Sequence, residues 1–135
     1  MGHWGIKSYE CDEAADALDD GFERVHGPCY EELMHDSNPL SYEQVQQRLA
    51  GPETLTAALD ALSANAGHEI EAWDEIDRLA FVGVVVRHAE LGVPIGDDWR
   101  RLAIDWLEHE EIEWEEDEAR KRRRLEEIAL LKSAR

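Results

Sequence analysis

Two groups of side chains in this sequence have types and spacings that could support chemistry. Asp12 and Asp16 are one helical turn apart, so a helix would place both carboxylates on one face, as in sites that use paired carboxylates for acid–base work. Asp105, His109 and Glu113 follow one another at four-residue intervals. On one helix face, these carboxylate and imidazole groups have the geometry to hold a divalent cation.

For both groups the sequence favours a structural interpretation. Asp12 stands at the start of a predicted helix, where its carboxylate can cap the free N–H groups of the first turn or stabilise that turn by its charge. Asp16 can do the same for the backbone of the preceding segment. The second group lies within or beside residues 108–118, which contain eight acids, so such triples arise there by chance. We predict no catalytic residue, no metal site and no cofactor.

The net charge restricts the class of partner. The 135 residues include 32 acidic and 14 basic side chains, which gives a formal net charge of −18. Residues 1–118 hold 7 bases and 30 acids, a net charge of −23, whereas residues 119–135 hold 7 bases and 2 acids, a net charge of +5. The negative charge of residues 1–118 opposes unaided binding to DNA or to an anionic membrane, and it favours a basic partner.

The apolar periodicity predicts an all-α fold, a single irregular bundle of about five helices with a long, partly projecting C-terminal helix. Leu79–Val86 is apolar on all sides and could form a buried strand, but no second strand candidate exists to pair with it. Helix is therefore preferred. The predicted helices run from 12 to 27, 30 to 34, 41 to 51 (opened by a Ser41–Gln44 capping box), 52 to 67, 69 to 91 and 97 to about 132.

The last predicted helix divides into two parts. Its apolar stripe ends near Trp106, so we expect a core domain over 1–107 and a charged extension over 108–135 that continues the helix into solvent. Five consecutive bases occupy 120–124. Acids four residues before them form favourable helical pairs, such as Glu116 with Arg120, and these pairs explain the basic run without nucleic acid.

A short apolar stripe at the end of the chain needs a covering partner. Leu125, Ile128 and Leu131 share one helix face and can pack on the protein's own body, on a second copy or on another protein. Two antiparallel copies would lay the acids of 108–118 against the bases of 120–124, which would make a homodimer. The predicted interface residues are Glu110, Glu111, Trp114, Leu125, Ile128 and Leu131.

The opening of the chain carries a family signal. Trp4-Gly5, then Tyr9, then 12–16 (Asp-Glu-Ala-Ala-Asp), then Leu18 resembles a family of small bacterial proteins of unknown function. That family begins Met-Gly-x-Trp-Gly and continues with an aromatic residue, an Asn-Asp pair and Ala-x-Asp. Here Lys7 replaces a usual Gly, Cys11 replaces the Asn and Ala17 replaces a large apolar residue. The resemblance covers about eighteen residues.

The resemblance implies a cytosolic bacterial protein, of an accessory or immunity type, with no established catalysis. From the residues themselves, Trp4 and Tyr9 are expected to pin the N-terminal segment onto the first helix, with Asp12 and Asp16 as the other members of the motif. The sequence lacks an apolar segment after Met1 and a C-x-x-C pair, which predicts a cytoplasmic protein with reduced thiols and no membrane contact.

Three functions remain open from the sequence. The first is a small acidic interaction module, of an inhibitor or immunity type, that binds a basic protein. The second is an enzyme or metal-binding protein that uses carboxylates and a histidine. The third is a self-associating module whose C-terminal helix forms the dimer. The absence of His-Glu-x-x-His, Gly-x-Gly-x-x-Gly, a phosphate-binding Gly-Lys loop and Gly-x-Ser-x-Gly favours the first.

Overall fold

The computed structural model describes residues 5–35, 37–112 and 114–133, and within these ranges the regular structure is helical without strands. The all-α prediction is confirmed, with seven α-helices where about five were expected. In chain order they are α1 (Asp12–His26), α2 (Pro28–Leu33), α3 (Tyr42–Leu49), α4 (Pro52–Ala66), α5 (Glu75–Glu90), α6 (Asp97–Glu108) and α7 (Asp117–Ser133), with a 3₁₀ turn at Ile70–Ala72 before α5.

Local signals in the sequence set several helix boundaries. Gly27 ends α1 with a positive φ of 50°, and Pro28 opens α2, as expected from residues that stop and start helices. The predicted capping box opens α3: the Gln44 N–H donates to Ser41 Oγ, and the Ser41 N–H donates to Gln44 Oε1 at 2.8 Å. These bonds satisfy backbone groups that the helix itself leaves free.

Helix α5 is the centre of the bundle. Every residue from Leu79 to Val86 is buried, because α1, α4, α6 and α7 all pack against this helix. The segment before α1 also lies directly on it: a Cβ added at Gly83 would come within 2.6 Å of the Ser8 carbonyl oxygen. A helix covered on all sides is apolar on all sides, so the helical assignment of this segment is confirmed.

The helix predicted from residue 69 begins later. Asp74 accepts the N–H of Asp77 at 2.9 Å and caps α5, while the preceding residues form the 3₁₀ turn. The Trp73 indole N–H donates to the Gly67 carbonyl at 2.8 Å, and its backbone is extended. A capping aspartate and an anchored tryptophan therefore override the continuous apolar periodicity.

The single long C-terminal helix was a wrong prediction, since α6 ends at Glu108 and α7 begins at Asp117. Helix α7 packs against α5 and α6, and its Arg120, Glu127 and Leu131 are buried, so the helix lies on the bundle instead of projecting away from it. Glu110 and Arg120 form an ion pair. In one straight helix ten residues span about 15 Å, so this contact requires the break.

Other findings concern chain-wide properties. None of the helices in the described ranges has both the length and the apolar character that crossing a membrane requires.

Cys11 and Cys29 are both free thiols, Cys11 buried and Cys29 exposed. Burial raises the pKa of the Cys11 thiol to about 11, which makes that thiol unreactive at neutral pH.

His88 is fully buried in the middle of the bundle. Its ring stacks on Phe22 with 6.0 Å between centroids, Nδ1 lies 3.0 Å from the Val84 carbonyl oxygen, and Nε2 lies 2.9 Å from Thr54 Oγ1. Burial lowers the pKa of His88 to about 4. The ring is therefore neutral at pH 7, with Nδ1–H donating to the Val84 carbonyl oxygen.

This buried neutral ring predicts a loss of stability in mild acid. An unfolded histidine takes up a proton near pH 6.5, whereas folded His88 does so only near pH 4. Its contribution is therefore complete above pH 6.5 and lost as the pH falls to 4, up to about 3 kcal/mol of unfolding free energy. Urea unfolding at pH 7.5 and 4.5 measures this loss. Between these two pH values, we expect the free energy of unfolding to fall less for His88→Phe than for the wild type.

The exposed His68 supplies the matched control for this experiment. His68→Gln removes a histidine from an exposed position and should leave the loss of stability that depends on His88 in place. Equal losses on acidification for His88→Phe and the wild type would contradict a buried neutral ring.

Candidate functional site

The described part of the N-terminal motif docks on the C-terminal half of the bundle. Trp4 lies outside the described residues. Tyr9 is half-buried, and its ring lies 5.4 Å from the Arg87 guanidinium and 5.9 Å from that of Arg123. Burial and a hydrogen bond to Glu90 raise the pKa of Tyr9 far above its ordinary value. Tyr9 thus contacts side chains of α5 and α7, and it lines a pocket together with Ala15 and Leu18 of α1. Its role in pinning the N-terminal segment onto the first helix stays a prediction.

Asp12 and Asp16 lie on the solvent side of α1. Cys11 is the N-cap residue of α1, without a side-chain cap bond, so Asp12 does not cap the helix. Its charge lies in the first turn and stabilises that turn, which is the other role predicted for it. Helices α1, α2 and α3 contact one another, and we call their exposed acids, Asp12 and Asp16 included, the acidic face. Its exposed members are Asp12, Asp16, Asp19 and Glu23 of α1, Glu31 and Glu32 of α2, and Glu43 of α3.

Three carboxylates on α1 approach one another. Oxygens of Asp19, Asp20 and Glu23 lie within 4.8 Å, and Asp19 also accepts a hydrogen bond from the Tyr30 hydroxyl at 2.6 Å. Exposed acidic groups at this spacing are common without an ion, and this group contains no histidine.

The predicted group around His109 is only partly within the described residues, because Glu113 lies outside them. His109 Nδ1 lies 2.8 Å from the Asp105 carbonyl oxygen and 3.3 Å from Asp105 Oδ1. The backbone hydrogen bond and the charge of Asp105 raise the pKa of His109. This exposed pair stabilises the C-terminal end of α6, where a positive charge is favourable.

A buried charged cluster was not predicted from the sequence. We call Ser8, Glu110, Arg120 and Glu127 the Arg120 cluster. Arg120 Nη1 donates to Glu127 Oε1 at 2.9 Å, and Nη2 and Nε donate to the two oxygens of Glu110. Arg120 also donates to Ser8 Oγ at 3.2 Å and to the Ile6 carbonyl oxygen at 2.9 Å. The guanidinium is 4.6 Å from the Trp114 ring centroid.

Ser8 completes the cluster from the N-terminal segment. Its N–H donates to Glu127 Oε2 at 3.0 Å, and its hydroxyl donates to Glu127 Oε1. Burial alone would lower the pKa of Arg120, but hydrogen bonds and charges from Glu110 and Glu127 outweigh it and raise the pKa. The guanidinium therefore stays charged inside the protein, held by two carboxylates.

The ion pairs continue along α7 and α5 towards α3. Arg123 Nε donates to Glu127 Oε2 at 3.1 Å, and Arg123 Nη2 lies 3.1 Å from Glu90 Oε2. Arg87 binds Glu90 at 3.4 Å and donates to Gln46 Oε1 at 2.7 Å. These paired charges connect three helices across the surface of α5.

The basic run 120–124 is therefore largely paired within the chain. Arg120 and Arg123 bind buried carboxylates, Arg124 lies 3.9 Å from Glu110, and Lys121 pairs with Asp117 at 3.0 Å as the four-residue spacing predicted. Arg120, by contrast, is buried rather than solvated. This pairing leaves few cations of the run for phosphate groups.

The protein's own body covers most of the predicted interface. Glu110 binds Arg120, Trp114 and Leu131 are buried, and Ile128 is half-buried against the core. Two members remain accessible: Glu111, which is exposed, and Leu125, with 66% of its surface exposed. The body was one of three partners expected for the apolar stripe, and a homodimer stays a prediction.

Glu127 supplies a direct test of the Arg120 cluster. Glu127→Gln removes the charge shared by Arg120 and Arg123, so we expect the free energy of unfolding to fall by about 3 kcal/mol. Glu126→Gln, at the exposed neighbouring position, removes the same charge and should change it by less than about 0.5 kcal/mol. Guanidinium unfolding followed by tryptophan fluorescence measures both. Equal effects would show that the cluster does not stabilise the fold.

Comparison with protein-family models, with curated proteins and with solved structures finds no match to this chain. The resemblance of residues 2–18 to a small bacterial family therefore stays a prediction.

Proposed function

We propose that this protein is a cytoplasmic interaction module that binds a basic protein partner through the acidic face, as an inhibitor or an immunity-type protein does. The proposal is carried by how the charges are distributed: acids of α1, α2 and α3 are exposed, whereas several arginines are paired within the chain. Residues 12–49 contain ten acids and two bases, and the acidic face is exposed. Arg87 of α5 and Arg120 and Arg123 of α7 meanwhile bind carboxylates of the chain itself.

Apolar side chains accompany the acids on the same three helices. The described large apolar residues that are most exposed are Val25 at 39%, Met34 at 38%, Tyr42 at 42% and Leu125 at 66%. The first three lie on or at the end of α1, α2 and α3, which contact one another. Interfaces combine a few apolar or aromatic anchors with a charged rim, and this surface has both.

The other functions have less support. Binding to nucleic acid requires free cations, and the basic run is largely paired within the chain. A carboxylate and histidine metal site has no counterpart among the described residues, where the three carboxylates that approach one another lack a histidine. Self-association through the α7 stripe competes with its burial on the body, since Leu131 is fully buried.

The test compares two triple variants of equal net charge. Asp12→Asn, Asp16→Asn and Glu23→Gln neutralise the acidic face, whereas Glu108→Gln, Glu111→Gln and Glu115→Gln neutralise exposed acids outside it. Pull-down from the native host at low salt, with the wild type as bait, should recover a basic protein. We expect the face variant to slow its association about tenfold and the control variant to change it little.

Salt dependence supplies a second measurement on the recovered protein. The association rate with the wild type should fall steeply as salt rises, and the face variant should show a smaller slope. The proposal fails if no basic protein is recovered at low salt, or if the two triple variants slow association equally.

A further inference from the structure

Among the described arginines that are not exposed, Arg78 differs in lacking a carboxylate partner. Six arginines in the described ranges are at least half-buried, and five of them have a carboxylate within 4.0 Å: Arg87, Arg100, Arg120, Arg123 and Arg124. Arg78 has no such partner among the described residues. In a chain with 32 acids and 14 bases, an unpaired arginine inside a concavity is the exception.

The guanidinium of Arg78 is nevertheless held in place. It lies 5.3 Å from the Trp106 ring centroid, and Nη2 donates to the Glu71 carbonyl oxygen at 3.0 Å. Trp106 is fixed in turn by Phe81 and Trp73, whose ring centroids lie 5.1 and 6.1 Å away. The Nε–H is buried and has no acceptor, although buried donors are normally paired. Arg78 is thus a positioned cation with unused donor capacity.

Arg78 lines an open cleft of about 620 Å³ between the 3₁₀ turn and α6, a volume typical of small-molecule sites. Its apolar walls are Ile70, Leu102 and Trp106, and Glu71, Asp105 and His109 also line it. A smaller adjoining cavity shares Arg78, Trp106 and His109. The cleft has no residue in common with the acidic face.

We propose that this cleft binds a small organic monocarboxylate with a flat apolar body. The carboxylate binds the Arg78 guanidinium, whose planar donors match it, and the body packs against Leu102 and the Trp106 edge. A phosphate is disfavoured because its second charge would lie near Glu71 and Asp105 with one arginine to offset it. The inference is independent of the proposed partner at the acidic face.

A fluorinated pair of probes tests the charge requirement. ¹⁹F NMR titration of the wild type with 4-fluorobenzoate should show saturable binding with a Kd of about 1 mM or below, and 4-fluorobenzamide, the neutral matched compound, should bind at least about tenfold more weakly. Arg78→Gln should weaken 4-fluorobenzoate about tenfold, while Arg101→Gln, which removes the same charge from an exposed position of α6, should not.

A second variant keeps the test decisive if Arg78→Gln loses its fold. Leu102→Trp fills the apolar part of the cleft and leaves Arg78 in place, so it should also abolish saturable binding, with its thermal unfolding measured alongside. The proposal is overturned if 4-fluorobenzoate shows no saturation up to about 10 mM. It is also overturned if the amide binds equally well, or if Arg101→Gln weakens binding as much as Arg78→Gln.

Discussion

The buried guanidinium of Arg120 is the interaction on which the arrangement of this chain depends. A guanidinium has five N–H donors, and here all five have acceptors, on Glu110, Glu127, Ser8 and the Ile6 carbonyl. A buried charge is tolerated only with such complete pairing. Because Ser8 and Arg120 are 112 residues apart, the cluster fixes the N-terminal segment, the segment after α6 and α7 in a single arrangement.

This cluster also determines how charge is distributed over the molecule. Arg120 and Arg123 bind Glu127 and Glu90, so these two arginines of the basic run turn towards the interior and to α5. The acids of α1, α2 and α3 have few bases near them in sequence and stay exposed. The outer surface of these helices is therefore more negative than the net charge of −18 suggests, and negative potential of this kind steers basic partners towards a surface.

Local patterns in the sequence predicted the helices better than the contacts between them. The capping box of Ser41 and Gln44, the stop at Gly27 and the helical nature of 79–86 each depend on neighbouring residues and were predicted. The Arg120 cluster depends on Ser8, Glu110 and Glu127, which no local spacing connects. Glu116, four residues before Arg120, offered a plausible but different partner. The acidic face was partly predictable because it follows from the composition of one stretch of the chain. The cleft at Arg78 was not predictable because it depends on contacts between residues far apart in sequence.

Arg120 and Arg78 occupy similar aromatic surroundings but differ in how many of their N–H donors are paired. Arg120 and Arg78 both lie over a tryptophan, at 4.6 Å from Trp114 and 5.3 Å from Trp106, so aromatic contact does not separate them. Arg120 has two carboxylates and no donor to spare, which makes it part of the fold. Arg78 has one backbone acceptor, an unpaired Nε–H and a cleft beside it. An unpaired buried donor at a fixed position costs stability, and in Arg78 this donor belongs to a cation beside a cleft, not to one enclosed by carboxylates.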